Sequence, residues 1–238
     1  MMRVYYDLHI HSCLSPCGDS DMTPANIVGM AALKGLQVVA LTDHNSCRNC
    51  PAFMKEAEEA GILGIPGMEL TTSEEVHALC LFPGLEQAMR FQEFVDGRRM
   101  RIPNREDIFG RQEIYDENDR MIGTEENLLI LASELSFEGL FEQVDSFGGV
   151  MVPAHIDRPS NSLLSNLGFV PPDSRFAAAE VKDLQTLPEL YRTNPCLRRC
   201  RILNSSDAHS LWQIHEPEQT LEIEEWSARA VIRALQSR

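Results

Sequence analysis

Short apolar, β-branched runs alternate along the chain with stretches whose apolar residues recur at helical spacing. The runs at 4–8, 38–41, 63–66, 76–82, 149–152, 177–181, 202–204 and 220–223 predict strands. The stretches at 24–34, 52–60, 86–95, 137–147, 187–191 and 227–236 predict helices. Thr23 before Pro24 predicts a sharp helix start, because a hydroxyl caps free amides and proline suits the first helical position. Strand and helix in alternation is the pattern of βα units around a mainly parallel sheet, so the fold class is α/β. The segment 96–134 breaks that pattern: it is rich in charge and interrupted by Pro103, Gly110 and Gly123, which predicts a lid or peripheral insertion. With 238 residues and 43% apolar content, a single domain over 1–238 is expected.

Composition narrows the function classes. No apolar run reaches the length of a membrane span and no signal-type stretch precedes Val4, so a cytoplasmic protein with no membrane partner is expected. The formal net charge of −15 disfavours tight nucleic-acid binding. Two short basic patches, Arg98-Arg99-Met100-Arg101 and Arg198-Arg199-Cys200-Arg201, leave room for a local basic groove, and bound divalent cations would offset part of the negative charge. An odd number of cysteines, seven, argues against a disulfide framework. Cys13, Cys17, Cys47 and Cys50 follow predicted strand ends, so a four-thiolate zinc or iron centre and a redox-sensitive pair are both open, with reduced, unliganded thiols favoured.

The polar residues carry more information. His9 and His11 end the first strand in Asp7-Leu8-His9-Ile10-His11-Ser12, and strand alternation points them the same way, as two ligands of one ion require. Thr42-Asp43-His44 follows the second strand and Gly67-Met68-Glu69 the third. His77 lies early in the fourth, Pro153-Ala154-His155 closes a later one, and Ser206-Asp207-Ala208-His209 follows the run at 202–204. In a βα barrel such strand ends face one mouth, so side chains remote in sequence converge there. A mixed imidazole and carboxylate set favours zinc, manganese or iron over magnesium or calcium. Asp7 and Asp43 either orient neighbouring imidazoles or cap strand ends. Arg158 either binds a phosphate in bidentate fashion or makes a surface salt bridge. His215 has no partner motif and reads as structural, with a leaving-group acid as the alternative.

Taken in order, Asp7-x-His9-x-His11-Ser12, Thr42-Asp43-His44, Gly67-x-Glu69, His77, His155 and Asp207-x-His209 resemble the PHP family, named for polymerase and histidinol phosphatase domains. The resemblance runs from Asp7 to His209 and implies a distorted seven-stranded (β/α)7 barrel holding two or three divalent metal ions, zinc, manganese or iron. It implies His9, His11, Glu69 and Asp207 on one ion, Glu69 bridging to a second ion with His77 and His155, and His44 and His209 on a third. Aligning the loop on Thr23 makes Asp19 the further third-site ligand, with Cys17 next. Catalysis is expected at Glu69, Asp207 and His209, with the substrate phosphate on Arg158. The implied activity is metal-dependent hydrolysis of a phosphate ester, since paired ions lower the pKa of a water and clamp phosphoryl oxygens. A small phosphorylated substrate is expected. The alternatives are a nuclease, a hydrolase of another bond such as an amide, and a non-catalytic metal-binding module.

Overall fold

Local chemistry sets the element boundaries. Thr23 Oγ1 accepts from the Asn26 N–H at 3.2 Å, Pro24 follows it, and Gly35 at φ 81 closes the last turn, so α1 spans Pro24–Lys34 as its sequence predicts. The computed structural model describes residues 1–237. Around α1 lie β1 (Met2–Asp7), β2 (Val38–Leu41), α2 (Cys50–Glu59), β3 (Leu63–Thr71), β4 (His77–Leu81) and α3 (Leu85–Asp96). The segment 96–134 holds α4 (Glu106–Phe109) and a hairpin of β5 (Glu113–Tyr115) with β6 (Met121–Thr124). The chain continues through α5 (Phe137–Ser146), β7 (Val150–Pro153), α6 (Leu163–Leu167), β8 (Ala178–Glu180), α7 (Leu187–Thr193), β9 (Arg201–Leu203), β10 (Thr220–Ile223) and α8 (Ala228–Gln236).

Strands β10, β1, β2, β3, β4 and β7 join in that order into a six-stranded sheet, and β8 pairs with β9 apart from it. The β1–β2 and β2–β3 pairs are parallel, whereas β1–β10, β3–β4 and β4–β7 are antiparallel. The fold is thus mixed α/β with a curled half-barrel sheet. The seven-stranded (β/α)7 barrel implied by the resemblance is met only in part. The three-residue strands β8 and β9 hydrogen-bond in parallel to each other, and the return to the β1 side is an isolated bridge between Ile10 and Ala208.

Strand β3 departs most from its sequence reading. It pairs parallel with β2 through Leu63–Pro66 and antiparallel with β4 from Gly67 to Thr71. Pro66, which has no N–H, stands at the change of partner, so a proline that reads as a strand end is passed over and Glu69 lies inside a strand. The close approach of β4 needs the glycine that follows: a Cβ at Gly67 would lie 2.7 Å from Cys80 O and 2.9 Å from Leu81 Cδ2. Gly67→Ala is therefore expected to destabilise the fold by about 1–3 kcal/mol and lower the thermal midpoint by several degrees. An unchanged midpoint in a circular-dichroism melt would show that β3 and β4 have slack at this point.

Alternate strand residues divide between two cores. Val38, Ala40, Leu79, Leu81 and Val152 pack with Val231 and Leu235 of α8. Val39, Leu41, Ala78, Cys80 and Met151 pack with Ile27, Phe53, Phe91 and Leu140 from α1, α2, α3 and α5. With both faces of the sheet covered by helices, polar chemistry is left to the strand ends. The segment 96–134 lies against the loops that follow β1 and β2: the Glu113 N–H donates to Cys13 O, and Asn45 Nδ2 donates to Leu129 O and Leu131 O. Arg48 and Arg99 both pair with Asp96 and with Glu125, which fastens the segment to the end of α3. Among the described residues, no helix is long and apolar enough to cross a membrane.

Candidate metal centre

Strand direction brings the polar motifs to one rim. Because β4 runs antiparallel to β3, its first residue, His77, stands opposite Thr71. β7 is antiparallel to β4, so its carboxyl end carries His155 to the same place. His44 bridges to Glu69, and Ile10, between His9 and His11, bridges to Ala208, between Asp207 and His209. Two of the gathered residues have left-handed backbones that side chains seldom adopt, His155 at φ 27 and Asp207 at φ 53. Hydrogen bonds just past each one, from Ile156 N–H to Glu180 O and from Ala208 N–H to His9 O, hold these turns.

Glu69 is the hub. Its Oε1 lies 2.9 Å from His155 Nε2, 3.0 Å from His77 Nδ1 and 3.4 Å from His9 Nε2. Its Oε2 lies 3.1 Å from His44 Nδ1 and 3.3 Å from His11 Nε2. Asp207 Oδ1 adds a second carboxylate, 3.3 Å from His9 Nε2 and 3.4 Å from His11 Nε2. Ligand atoms fall together in sets: His9, His11, Glu69 and Asp207; His44, Glu69 and His77; and His11, His44 and His209. His44 thus stands beside His77 as well as beside His209, so the ions expected to be separate share a single cavity wall.

The ring protons show what this cavity is built for. His9 Nδ1 faces both oxygens of Glu180 at 3.0 and 3.1 Å. His209 Nδ1 donates to Asp207 O at 2.8 Å. Ser15 Oγ gives its proton to Asp43 Oδ1 and so accepts from His11 Nδ1 at 3.0 Å. In the neutral, metal-binding form of each ring Nδ1 is therefore the protonated nitrogen and Nε2 offers a lone pair. The lone pairs of His9 and His11 face each other across 3.1 Å, an arrangement that needs a proton or a cation between them. His44 Nδ1 is buried without a hydrogen bond, since Glu69 Oε2 is near but poorly aligned. Both features fit a divalent metal bound by mixed nitrogen and oxygen donors.

Glu180 joins the cluster through His9 Nδ1, and the motif reading missed it. It is fully buried at the end of β8, and its signal in the sequence is an acid inside the apolar run from Phe176 to Val181. Glu180→Gln, which weakens the hold on His9 Nδ1 without changing its size, is expected to reduce metal affinity by about 10- to 100-fold. Competition against a chelator of known affinity would measure this, and an unchanged affinity would reduce Glu180 to a buried structural acid.

The electrostatics of the metal-free cluster follow from crowding. Burial lowers the His9 imidazole, but the carboxylates of Glu180, Asp207 and Glu69 outweigh it and hold His9 well above its usual range. His11 is raised to about 9, burial again being overcome, here by Asp207 and Glu69. Burial and the charge of His11 hold His44 well below its usual value and bring His209 to about 4. Burial opposes ionisation of Glu69 and Asp207. The imidazoles prevail, His77, His9 and His44 at Glu69 and chiefly His9 and His11 at Asp207, so both acids stay well below the carboxylate range.

Other expected residues lie elsewhere. Asp19 and Cys17 are exposed and in none of the ligand sets, while the Asp19 backbone N–H donates to His209 O beside the cluster. The tight turn at Gly18, where a Cβ would lie 2.3 Å from Ser12 O, sets the path of this loop. Asp43 accepts from Ser12 N, Ser12 Oγ and Ser15 Oγ at 2.6–2.7 Å, so it orients His11 through Ser15. Asp7 caps backbone, accepting from the N–H groups of Ser206 and His215, and His215 has that structural place. Arg158 makes a salt bridge, to Asp207 Oδ2 at the rim. Cys47 and Cys50 are buried with both Sγ atoms on Gly67 O, and among the described residues no cysteine joins a metal-ligand set.

A family model described as the PHP domain matches residues 7–153, more than half of the chain. The chain belongs to the PHP domain family. This PHP chain is 34% identical over 99 residues to an uncharacterised protein of Methanocaldococcus jannaschii, across 38% of this chain and 58% of that one. It is 37% identical over 74 residues to the 5'-3' exoribonuclease of Haemophilus influenzae, across 31% of this chain and 26% of that one. The fold matches the lesion-specific endonuclease Q of Pyrococcus furiosus with a TM-score of 0.68 at 23% identity, covering 99% of this chain and 56% of the endonuclease. The PHP chain thus spans less than two thirds of the length of each of these proteins. Family membership and the His, Glu and Asp cluster together support divalent-metal binding. The expectation of a small phosphorylated substrate, with nucleic acid disfavoured, is overturned by the relatives found, which include an exoribonuclease at 37% identity over the matched segment, beside a fold match to a lesion-specific endonuclease. Net charge is a weak guide here, because it sums the whole surface and omits bound cations.

Proposed function

We propose that this chain is a metal-dependent phosphodiesterase that cleaves nucleic-acid strands. The observation that carries the reading is the pair of facing lone pairs on His9 and His11, ringed by oxygens of Glu69 and Asp207. His9, His11, Glu69 and Asp207 would hold one ion, Glu69 with His77 and His155 a second, and His44 with His209 a third. Zinc, manganese and iron suit these donors. When bound, the ions supply an activated water and offset the charge on the phosphoryl oxygens. The protein's own groups do the positioning. Glu180 and the Asp43–Ser15 pair fix the rings of His9 and His11, and Glu69 and Asp207 stay ionised and available as ligands and proton acceptors. His209 presents a free Nε2 beside them, and the Arg158 guanidinium at the rim offers a planar fork for the phosphate. The named activities of the exoribonuclease and the endonuclease support phosphodiester cleavage.

The test is incubation of metal-stripped protein, reloaded with manganese or zinc, with end-labelled single-stranded RNA and DNA. Shortening of at least one strand that depends on added metal and is stopped by chelator is expected. Intact strands with both metals, at stoichiometric metal content, would reject the reading.

A further inference from the structure

One edge of the mouth is cationic and aromatic although the chain as a whole is acidic. Three strand-end loops form it, and the first two converge on the segment from Ser206 to Gln213 of the third. Arg158, in the loop after β7, pairs with Asp207 Oδ2. Lys182, in the loop after β8, is exposed and its Nζ donates to Ser206 O. Trp212, in the loop after β9, is 76% exposed. The first two loops are clamped together, because Asp157 accepts from the backbone N–H groups of Lys182 and Asp183 at 2.8 Å. That clamp also engages the one acid beside Arg158 in its own loop. The turn that carries Trp212 is pinned as well: Gln213 Oε1 accepts from the N–H groups of His209 and Ser210, and Ile214 is buried immediately after it. A large ring held out to solvent on a fixed turn, three residues past His209 and on the same segment that Arg158 and Lys182 contact through Asp207 and Ser206, is an unusual placement for tryptophan.

We propose that the loops after β7, β8 and β9 form a track for single-stranded nucleic acid, in which Arg158 and Lys182 hold backbone phosphates beside the metal cluster and Trp212 stacks on an unpaired base. The inference rests on the nuclease reading above and adds the form of the substrate. Every unpaired base has a π-face for an indole, and two point cations suit a flexible backbone. A duplex, whose bases are already stacked, gains nothing from the ring.

The experiment is fluorescence anisotropy of a labelled single strand of roughly 12 nucleotides with nuclease-resistant phosphorothioate linkages, bound to metal-loaded protein over a range of salt. Trp212→Ala is expected to weaken binding about tenfold while leaving the salt dependence unchanged, with Trp212→Phe recovering most of the loss. Lys182→Gln is expected to weaken binding and lower the slope of log Kd against log salt by about 0.7, with Lys182→Arg keeping it. In Trp226→Phe protein the remaining indole is Trp212, and its emission is expected to be quenched when the strand binds. Equal thermal midpoints confirm that the variants are folded. If Trp212→Ala and Lys182→Gln bind as the parent does and Trp212 emission is unmoved, the track is wrong and the nuclease reading stands. A parent protein that cleaves nucleic acid but binds no single strand overturns the track and leaves the nuclease reading in place.

Discussion

Glu69→Gln is expected to lower metal-dependent hydrolysis by at least about a hundredfold and to reduce the metal retained per chain. No other side chain reaches as many members of the cluster: one carboxylate lies within 3.4 Å of ring nitrogens of His9, His11, His44, His77 and His155. The amide keeps the shape but loses the charge, and it puts a donor where two oxygens now face the rings. In the metal-free protein the same change leaves raised, protonated imidazoles at His9 and His11 short of a buried partner, a loss on the order of 3–5 kcal/mol. Metal analysis, steady-state rates and a thermal melt on the one variant would measure all three effects. A variant with the parent's metal content and rate would remove Glu69 from the centre of the chemistry.

Raising the pH is expected to move the metal-free and metal-loaded proteins in opposite directions. His9 and His11 are raised in the folded state, so their contribution to stability is complete below the ordinary imidazole value of about 6.5 and is lost as the pH climbs through the folded values. For His11 the folded value is about 9. That interval is worth about 3 kcal/mol, enough to lower the melting temperature of metal-free protein by several degrees. A divalent ion competes with those same protons. Its affinity therefore rises with pH, approaching tenfold per unit for each proton displaced, and the loaded protein holds or gains stability over the same range. The depressed acids Glu69 and Asp207 act in a lower window: their stabilisation is present above the usual carboxylate range and is lost as the pH falls below it. Melts from about pH 6 to 9.5, with chelator and with manganese, would show diverging slopes, and calorimetry in two buffers would count the protons released. Parallel slopes would mean that the metal does not meet these imidazoles.

The residues that the fold gathers at one rim were largely legible in the sequence, for a local reason. Alternation in Asp7-Leu8-His9-Ile10-His11, the short apolar run before Thr42-Asp43-His44 and the run before Ser206-Asp207-Ala208-His209 all mark strand ends within a few residues. The helix starts were equally local, Thr23 with Pro24 above all, because a cap and its amides lie within one turn. Composition carried less: the net charge pointed away from nucleic acid while the arginine, lysine and tryptophan near Ser206 to Gln213 are placed together only by the fold.

What only the tertiary structure decided depends on strand direction and partner. His77 reaches the rim because β4 runs backwards against β3, and Glu69 lies within a strand because β3 changes partners at Pro66. Glu180 meets His9, and Ser15 relays Asp43 to His11, across separations that no local pattern encodes. Asp19, placed near the third site by spacing, meets His209 O through its backbone N–H, a contact that no local pattern encodes. Periodicity fixes which way a side chain faces on its own element, since that follows from backbone sterics over a few residues. Which elements then come together, and in which direction, is decided by how the whole chain buries its two cores.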